Sequence, residues 1–424
     1  MNDNEDIRGL PARAAALDLL GTALSRRAGL DEGLNHPAMA ALEPRDRAFA
    51  RALVMATLRH LGPIDTALQA RIKKAPPERI VNVLRLGAAQ LLVLKTPAHA
   101  AVGATVDLTA AQKGGEVFKG LVNAVLRGFT REPVALDDPD LLVPTWLQAR
   151  WRAGYGADNA RAIAAMVAAE PATDLTLQDP ADAAELAAEL EAEVLPAGQL
   201  RVGLKGEVST WPGFDAGRWW VQDASAAVPA RLLNVQRGET AVDLCAAPGG
   251  KALELSRTAE RVVASDVSPA RLARVRQNLA RLEATNIDVM AADARSPALR
   301  EVDAVLIDVP CTGTGTFRRH PDARWRLKTS DLAVLGALQR AILRAAADVV
   351  KPGGLLVYST CSLEPEENDA QVESFLAEHP GWRLEPPPEG AVPAAVLDAG
   401  RLRVLPQRHG TDGAFAARLR RKPA

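Results

Sequence analysis

The stretch AVDLCAAPGGK, residues 241–251, decides the fold of this chain. It starts with a short apolar run, turns abruptly at Pro248-Gly249-Gly250, and continues into a helix-forming run from Lys251. This pattern predicts a buried parallel strand, a glycine turn and the start of a helix. Glycines let backbone N–H groups approach a ligand, and a helix N-terminus favours negative charge. In an open α/β sheet, a nucleotide-like cofactor lies at this first turn.

Three acidic residues end apolar runs further along the chain. Asp266 ends the run that starts at Arg261. It lies ~20 residues beyond Asp243, where a ribose-binding carboxylate is expected. Asp293 and Asp308 end two later runs. Each could be a solvated acid at a strand end, but three of them in one region favour a ligand-binding edge.

The length of 424 residues allows two or three domains and a sizeable core. The formal net charge of −1 says nothing about partners. Its distribution is uneven, because residues 1–132 carry a net charge of +5 and residues 133–210 one of −8. A mildly basic N-terminal part is consistent with nucleic-acid binding.

Cysteine usage and apolar runs indicate the compartment. The chain has only three cysteines, an odd and sparse set that favours a reducing environment. The N-terminal MNDNEDIRGL lacks the apolar core of a secretion signal, and no apolar run reaches the ~18 residues of a membrane span. We therefore expect a cytoplasmic protein without a membrane segment. Neither metal-ligand spacing nor a GxSxG motif is present, which excludes zinc and serine-hydrolase chemistry.

The front of the chain is helical in pattern. Residues 7–130 predict helices throughout, and Arg79–Leu94, apolar nearly all round, is the predicted central helix. A polar linker at 133–145 precedes a predicted small α+β unit. Its predicted elements are a helix over 146–169, a strand over 174–178 and a helix over 181–193. Trp211, Trp219 and Trp220 could stack on bases, but core packing is the favoured interpretation.

Strands and helices alternate from residue 221 to the end, as in a parallel sheet. Ser268-Pro269 predicts a helix start, and Leu272, Val275, Leu279 and Leu282 its apolar stripe. Further predicted elements are strands at 302–307 and 355–360, a helix from Ser330 and a late edge strand at 415–419.

Two of the three cysteines follow strands of this last region. Cys311 lies in DVPCTGTG, residues 308–315, and Cys361 lies in STCS, residues 359–362. A lone cysteine is usually a small buried apolar residue. If the two strands are neighbours, however, both thiols meet at the carboxyl edge of the sheet, where ligands bind.

Several motifs resemble known families. The runs PAHAAV (97–102) and FKGLVNAVLRGF (118–129) resemble the NusB-like RNA-binding domain. Five further motifs resemble those of the Sun-type RNA cytosine-C5 methyltransferases. Within that family they are most similar to the RsmB-type subgroup, which acts on 16S rRNA. These are QDASA (222–226), DLCAAPGGK (243–251), DVPCTGTG (308–315), RRHPDARW (318–325) and STCSLEPEEND (359–369).

The resemblance covers essentially the whole chain and implies a role for each motif. Cys361 would be the nucleophile and Cys311 would assist product release. S-adenosylmethionine would be the cofactor, held by the turn of Cys245, Ala246, Ala247, Pro248, Gly249, Gly250 and Lys251. The acids implied for the ribose, the adenine and the methionine end are Asp266, Asp293 and Asp308. The residue before Asp293 is not the glycine that is often found there in the family. Val309 and Thr312 are small departures from the residues that are usual in the family at these positions.

Two thiols suit this chemistry. C5 of cytosine is a poor nucleophile, and attack of a thiolate at C6 makes C5 reactive enough to take a methyl group. The base must leave its stack to be reached. A second cysteine can then assist the elimination of the first.

We therefore expect a multidomain protein, with an all-α NusB-like domain (1–132), a small α+β connecting domain (133–220) and a Rossmann-like α/β class I methyltransferase domain (221–424). Its expected partner is RNA, without a metal or a membrane, and the expected state is a monomer. Three alternatives stay open: a tRNA or other RNA cytosine methyltransferase, a non-catalytic rRNA-binding assembly factor, and a DNA cytosine methyltransferase. The paired thiols favour an RNA enzyme over the last.

Two clusters of basic residues remain. Arg318, Arg319, Arg324, Arg326 and Lys328 follow the Cys311 motif, where contact with phosphate is as plausible as a solvated face. Residues 418–422 predict a solvated tail.

Overall fold

The computed structural model describes residues 9–25, 29–34 and 37–423. The N-terminal residues 1–8, where a secretion signal was not expected, lie outside the described residues. The chain divides into two compact units, Met1–Glu170 with Phe317–Leu327, and Pro171–Thr316 with Lys328–Ala424. The predicted three-domain division, with boundaries after residues 132 and 220, stays a prediction beside these units. No helix in the described ranges is both long and apolar enough to cross a membrane.

Helices and strands are numbered in chain order along the described residues. The helices are α1 (Leu10–Leu24), α2 (Leu30–Leu34), α3 (Pro37–Ala40), α4 (Pro44–Arg59), α5 (Leu61–Gln69), α6 (Glu78–Leu92), α7 (Ala98–Ala110), α8 (Lys119–Arg131), α9 (Thr145–Tyr155), α10 (Ala157–Ala168), α11 (Ala183–Glu189), α12 (Ala224–Leu233), α13 (Gly250–Ser256), α14 (Pro269–Arg281), α15 (Ala323–Arg326), α16 (Thr329–Val349), α17 (Asp369–Glu378) and α18 (Pro406–His409). The strands are β1 (Thr173–Leu177), β2 (Ala192–Val194), β3 (Leu200–Val202), β4 (Trp219–Val221), β5 (Thr240–Asp243), β6 (Arg261–Asp266), β7 (Ile287–Ala291), β8 (Val302–Asp308), β9 (Val350–Thr360), β10 (Trp382–Leu384), β11 (Leu397–Asp398), β12 (Arg401–Val404) and β13 (Ala414–Arg421).

The first unit is a helical bundle around α6. This helix packs against α1, α4, α5, α7 and α8, which confirms the prediction of a central helix. It is apolar nearly all round because it has neighbours on most sides. Pro77 precedes its first residue, and Pro97 precedes the first residue of α7, so both prolines mark helix limits.

The short segment 317–327 belongs to this helical unit, although the residues on either side of it belong to the other. Arg324 is fully buried, and its Nη2 donates to the carbonyl oxygens of Leu58 (2.9 Å) and Arg59 (2.7 Å) at the end of α4. The indole Nε1 of Trp325 donates to the same Leu58 oxygen at 2.9 Å. Helix ends leave carbonyls without partners, and these side chains satisfy them. Phosphate contact is therefore wrong for Arg324, which caps a helix inside the protein.

Two predicted helices are shorter in the structure than in the sequence pattern. The single helix expected over 146–169 is split into α9 and α10, because Gly156 adopts a φ of +82° between them. The helix expected over 181–193 is confined to α11, since Glu191 has a φ of +49° and the chain continues as β2.

The second unit starts with a small antiparallel sheet of order β2-β3-β1-β4. Trp211 and Trp219 lie in its core, and Trp220 packs in the core beneath the large sheet. All three rings are buried, which confirms the preference for packing over base stacking.

The large sheet has the order β11-β12-β13-β9-β8-β5-β6-β7, with β10 paired to β13. Strands β7, β6, β5, β8 and β9 are parallel, so their carboxyl ends meet at one edge. The chain runs from β5 outward through β6 and β7, then returns to place β8 on the other side of β5. Ligands bind outside the carboxyl ends at such a switch point.

The last strand differs from its prediction in position. It was expected at the edge of the sheet, but β13 lies between β9 and β12 and is antiparallel to both. Three of the basic residues expected in a solvated tail, Arg418, Arg420 and Arg421, belong to it, whereas Lys422 follows the strand and is exposed. Arg418 is buried and Arg420 half-buried, and both donate to Glu385, whose pKa Arg420 and its neighbours hold down at about 2.

We predict that Arg324→Ala weakens the helical unit, because two carbonyls at the end of α4 lose a buried donor and a cavity forms. The expected loss is about 2–4 kcal/mol. The measurement is thermal unfolding followed by far-ultraviolet circular dichroism. Arg127→Ala is the control, since Arg127 is exposed on α8 and its side chain bonds Asn123 within that helix. Equal midpoints for the two variants would contradict the buried role of Arg324.

Candidate active site

The glycine turn lies where the sequence placed it. Strand β5 ends at Asp243, and α13 starts at Gly250. Gly249 has a φ of +108°, and a Cβ there would lie 3.2 Å from Cγ1 of Val275 on α14. The N–H of Ala246 donates to the carbonyl of Ser265 on β6 at 2.9 Å. The turn is thus fixed against the neighbouring strand and helix, as a close approach to a ligand requires.

Asp266 is brought to this turn. It ends β6 and is buried, and its Oδ2 accepts the N–H of Ala247 at 3.3 Å. Its Oδ1 accepts the N–H of Ser268 at 2.9 Å and Nη2 of Arg271 at 2.7 Å. Ser268 in turn caps α14 through Arg271, as predicted. The carboxylate therefore links the turn with the start of α14.

Asp308 is also brought to the turn, through an ion pair. Nζ of Lys251 lies 2.6 Å from Oδ2 of Asp308, and the hydroxyl of Ser359 donates to Oδ1 at 2.9 Å. Burial acts to lower the pKa of Lys251, but the charges of Asp308 and Asp243 outweigh it and raise that pKa. Lys251 therefore stays a cation at neutral pH, held between the turn and the ends of β8 and β9.

Asp243 is a site residue that the sequence interpretation did not assign. It is buried at the end of β5, and neither carboxylate oxygen has a hydrogen-bond partner among the described residues. The backbone N–H of Cys245 acts to lower the pKa of Asp243 but is not a hydrogen-bond partner of its carboxylate. Burial raises the pKa of Asp243 to about 7, against the pull of Lys251. A buried carboxyl without partners is costly, which indicates a place for a cationic or hydrogen-bonding ligand.

Asp293 has hydrogen-bond partners different from those of Asp266 and Asp308. It follows β7, the outermost strand of the parallel part, and both its oxygens accept from the guanidinium of Arg295 at 2.6–3.0 Å. No hydrogen bond described for Asp293 reaches the turn. Its predicted role for the adenine stays a prediction.

The two cysteines at strand ends meet. Strands β8 and β9 are parallel neighbours, with Asp308 opposite Ser359. The Sγ atoms of Cys311 and Cys361 lie 3.4 Å apart, and both thiols are free and partly exposed. The hydrogen bond to Cys361 and burial raise the pKa of Cys311 well above its usual value. Cys311 is therefore a protonated thiol at neutral pH and can donate its S–H to the sulfur of Cys361.

The third cysteine is different in kind. Cys245 lies in the turn, and burial raises its pKa far above the usual range. It is an inert thiol whose backbone, rather than its sulfur, belongs to the site. In the residues that the structure describes, no group of three or more His, Cys, Asp or Glu side chains is arranged to hold a metal ion.

Comparison with known proteins gives two family matches. Residues 10–131 match the model of the NusB family, and residues 230–420 match the model described as 16S rRNA methyltransferase RsmB/F. The match to the NusB model coincides with the helices α1 to α8. The match to the methyltransferase model coincides with the large sheet and its two thiols.

Curated relatives cover nearly the whole chain. Ribosomal RNA small subunit methyltransferase B of Sodalis glossinidius is 38% identical over 92% of this chain and 94% of its own length. The protein of the same name from Pasteurella multocida is 40% identical over 81% of this chain and 80% of its own length. A solved structure titled "Crystal Structure of PH0851" is 26% identical and superposes with a TM-score of 0.76, covering 96% of this chain and 98% of that one.

The raised pKa of Asp243 predicts a pH dependence of stability. Between about pH 4 and pH 7 the folded protein holds a proton on Asp243 that the unfolded chain has lost. The free energy of unfolding therefore falls as pH rises through this window, by up to about 1.4 kcal/mol per pH unit from this group. Denaturant unfolding of the wild type and Asp243→Asn at pH 5, 6, 7 and 8 measures it. The wild type should lose stability relative to the variant up to pH 7. A pH-independent difference would mean that Asp243 is already ionised in this range.

Proposed function

The chain belongs to the RsmB/F family of 16S rRNA methyltransferases, and on this premise we propose that it methylates C5 of a cytosine in 16S rRNA through a covalent bond between Cys361 and C6 of the base. The observation that carries the proposal is the pair of free thiols 3.4 Å apart at the ends of two neighbouring parallel strands. S-adenosylmethionine is the cofactor. Ribosomal RNA as the substrate implies a cytoplasmic site of action, and the expected monomer stays a prediction.

The residues around the glycine turn fit this cofactor. S-adenosylmethionine carries a sulfonium, an ammonium and ribose hydroxyls, which need acceptors and negative charge. The buried carboxylate of Asp243, which lacks partners within the described residues, provides both. We assign the binding site to the turn 245–251 with Asp243, Asp266 and Asp308, and to Asp293 on the strength of the family resemblance. When bound, the cofactor supplies the methyl group.

Cys361 is the nucleophile in this proposal. Its thiolate attacks C6, the C6–S bond forms, and electron density moves to C5, which then takes the methyl group. Cys311 supports the assignment, because its protonated thiol lies 3.4 Å from the Cys361 sulfur and can donate an S–H hydrogen bond to it.

Cys311 assists the second half of the reaction. Once C5 carries the methyl group, its proton goes to a base, the C6–S bond breaks, and the electron pair of that bond returns to the Cys361 sulfur. A partner 3.4 Å away can favour this departure by hydrogen bonding to the leaving sulfur. Without it, the enzyme should remain attached to methylated RNA.

Other RNA cytosines are the second candidate. The catalytic residues contain nothing that distinguishes rRNA from tRNA, so the choice rests on the front half of the chain. Residues 10–131 match the NusB family, and the relatives that share both halves are named for the small ribosomal subunit. This favours 16S rRNA. A purely RNA-binding role is disfavoured by the intact pair of thiols.

The substrate is tested by bisulfite sequencing of rRNA. Cells that lack the gene should lose one or a few 5-methylcytosines from 16S rRNA, and expression of the wild-type chain should restore them. Expression of Cys361→Ser should not, because an alcohol is far less ionised than a thiol at neutral pH. An unchanged 16S rRNA together with a lost tRNA methylation would transfer the proposal to the second candidate.

The roles of the two thiols are tested with end-labelled RNA on a denaturing gel. Cys311→Ala should keep attack and methyl transfer but stall elimination, so a slow-migrating protein–RNA adduct should accumulate. Cys361→Ala and the double variant should show none. An adduct seen only when Cys361 is changed would exchange the two roles, and the absence of any adduct would remove support for the covalent route.

A further inference from the structure

The segment that joins β9 to α17 contains two consecutive buried side chains without a role so far. Glu367 is fully buried and Asn368 is 2% exposed, directly before the first residue of α17. Both residues lie in a tight turn. The N–H of Glu367 donates to the carbonyl of Glu364 (3.1 Å), and the N–H of Asn368 donates to the carbonyl of Pro365 (3.2 Å). Burial of a carboxyl group and an amide is costly unless each is fully bonded.

Glu367 holds the residue that follows Cys311. Its Oε1 accepts the N–H of Thr312 at 3.0 Å, and its Oε2 accepts the hydroxyl of the same residue. Oε1 also accepts Nε2 of Gln339 at 2.9 Å, and this Nε2 lies 2.9 Å from the carbonyl oxygen of Pro310, to which it donates. Glu367 and Gln339 together therefore fix the backbone on both sides of Cys311.

Asn368 does the same for Cys361. Its Oδ1 accepts the hydroxyl of Thr360 at 2.6 Å, and its Nδ2 donates to the carbonyl of Ser362 at 2.8 Å. These residues flank Cys361 directly. The two loops are also joined to each other, since Gly315 donates its N–H to the carbonyl of Cys361 at 2.9 Å.

We propose that Glu367 and Asn368 are positioning residues that together set the distance between the two thiols, Glu367 through the Cys311 loop and Asn368 through the Cys361 turn. Because they are adjacent in the chain, a displacement of one loop is resisted by the same segment that holds the other. The charge of Glu367 also contributes to the raised pKa of Cys311, which keeps that thiol protonated. The effect of the distance between the thiols on catalysis rests on the proposed function. The distance itself does not depend on that proposal.

The spacing is measured by the rate at which the two thiols are oxidised to a disulfide. With diamide, two thiols lose two protons and two electrons to the diazene, which becomes a hydrazine, and an S–S bond forms. Peptide mass spectrometry of the full chain, without RNA or cofactor, identifies the Cys311–Cys361 product. A failure of the proposed methylation would leave this assay unaffected.

Glu367→Ala and Asn368→Ala should each form the disulfide about tenfold or more slowly, because the thiols no longer sit in one arrangement. Glu367→Gln should stay within about threefold of the wild type. It keeps the Oε1 acceptor, and its amide can donate to the Thr312 hydroxyl, which is able to accept. Val372→Ala is the matched control, since it creates a cavity in the buried face of α17 without a polar link to either loop.

Methylation kinetics add a second measurement. The two alanine variants should lower kcat with little change in KM for RNA, and Glu367→Gln should restore kcat. If Glu367→Ala does not fold, Asn368→Ala decides the proposal alone. Disulfide formation at the wild-type rate in a folded Asn368→Ala or Glu367→Ala variant would overturn it. Equal slowing in Val372→Ala would overturn it as well, because general loss of stability would then account for the effect.

Discussion

The site depends on the parallel pairing of β8 with β9. Asp308 lies opposite Ser359 in this pair, and the loops that leave both strands carry one thiol each. A slip of one residue would move one strand by about 3.3 Å and turn its side chains to the opposite face. Cys311 and Cys361 would then no longer be 3.4 Å apart. Alternate residues of both strands pack in two different apolar cores, so a slip would exchange the side chains of one core for those of the other.

Three acidic side chains lie at the carboxyl edge of the same sheet. Asp243, Asp266 and Asp308 end three of the five parallel strands, and two cations are paired with them, Lys251 with Asp308 and Arg271 with Asp266. Burial is the main cause of the raised pKa of Asp243, and the negative charges of Asp308 and Asp266 raise it further. Such an arrangement lowers the free energy of unfolding of the ligand-free protein and is typical of a ligand-binding site. A cationic cofactor would offset the excess of negative charge.

Local patterns predicted much of this structure. The strand, glycine turn and helix at 241–251, the N-cap at Ser268 and the central helix α6 each depend on a few neighbouring residues, and each was found. The meeting of Cys311 and Cys361 needed one further assumption, that the two strands are neighbours, and this assumption was confirmed.

What the sequence did not predict depends on contacts between distant residues. Arg324 belongs to a basic run that has the appearance of a surface patch, yet its partners lie at the end of α4, more than 260 positions away. The inner position of β13 follows from pairing with β9 and β12, which no local pattern specifies. Asp243 was taken as part of a strand. Only the fold shows that its carboxylate is buried without a partner in the described structure.

The central claim is that Cys361, and not Cys311, forms the bond to the base. The most direct measurement uses an RNA substrate with 5-fluorocytidine at the methylated position. Fluorine cannot leave C5 as the proton does, so elimination is blocked and the attacking sulfur stays bonded to C6. After digestion, mass spectrometry should find the nucleotide on the peptide that contains Cys361. Its attachment to the Cys311 peptide, or methyl transfer without any attached nucleotide, would contradict the account.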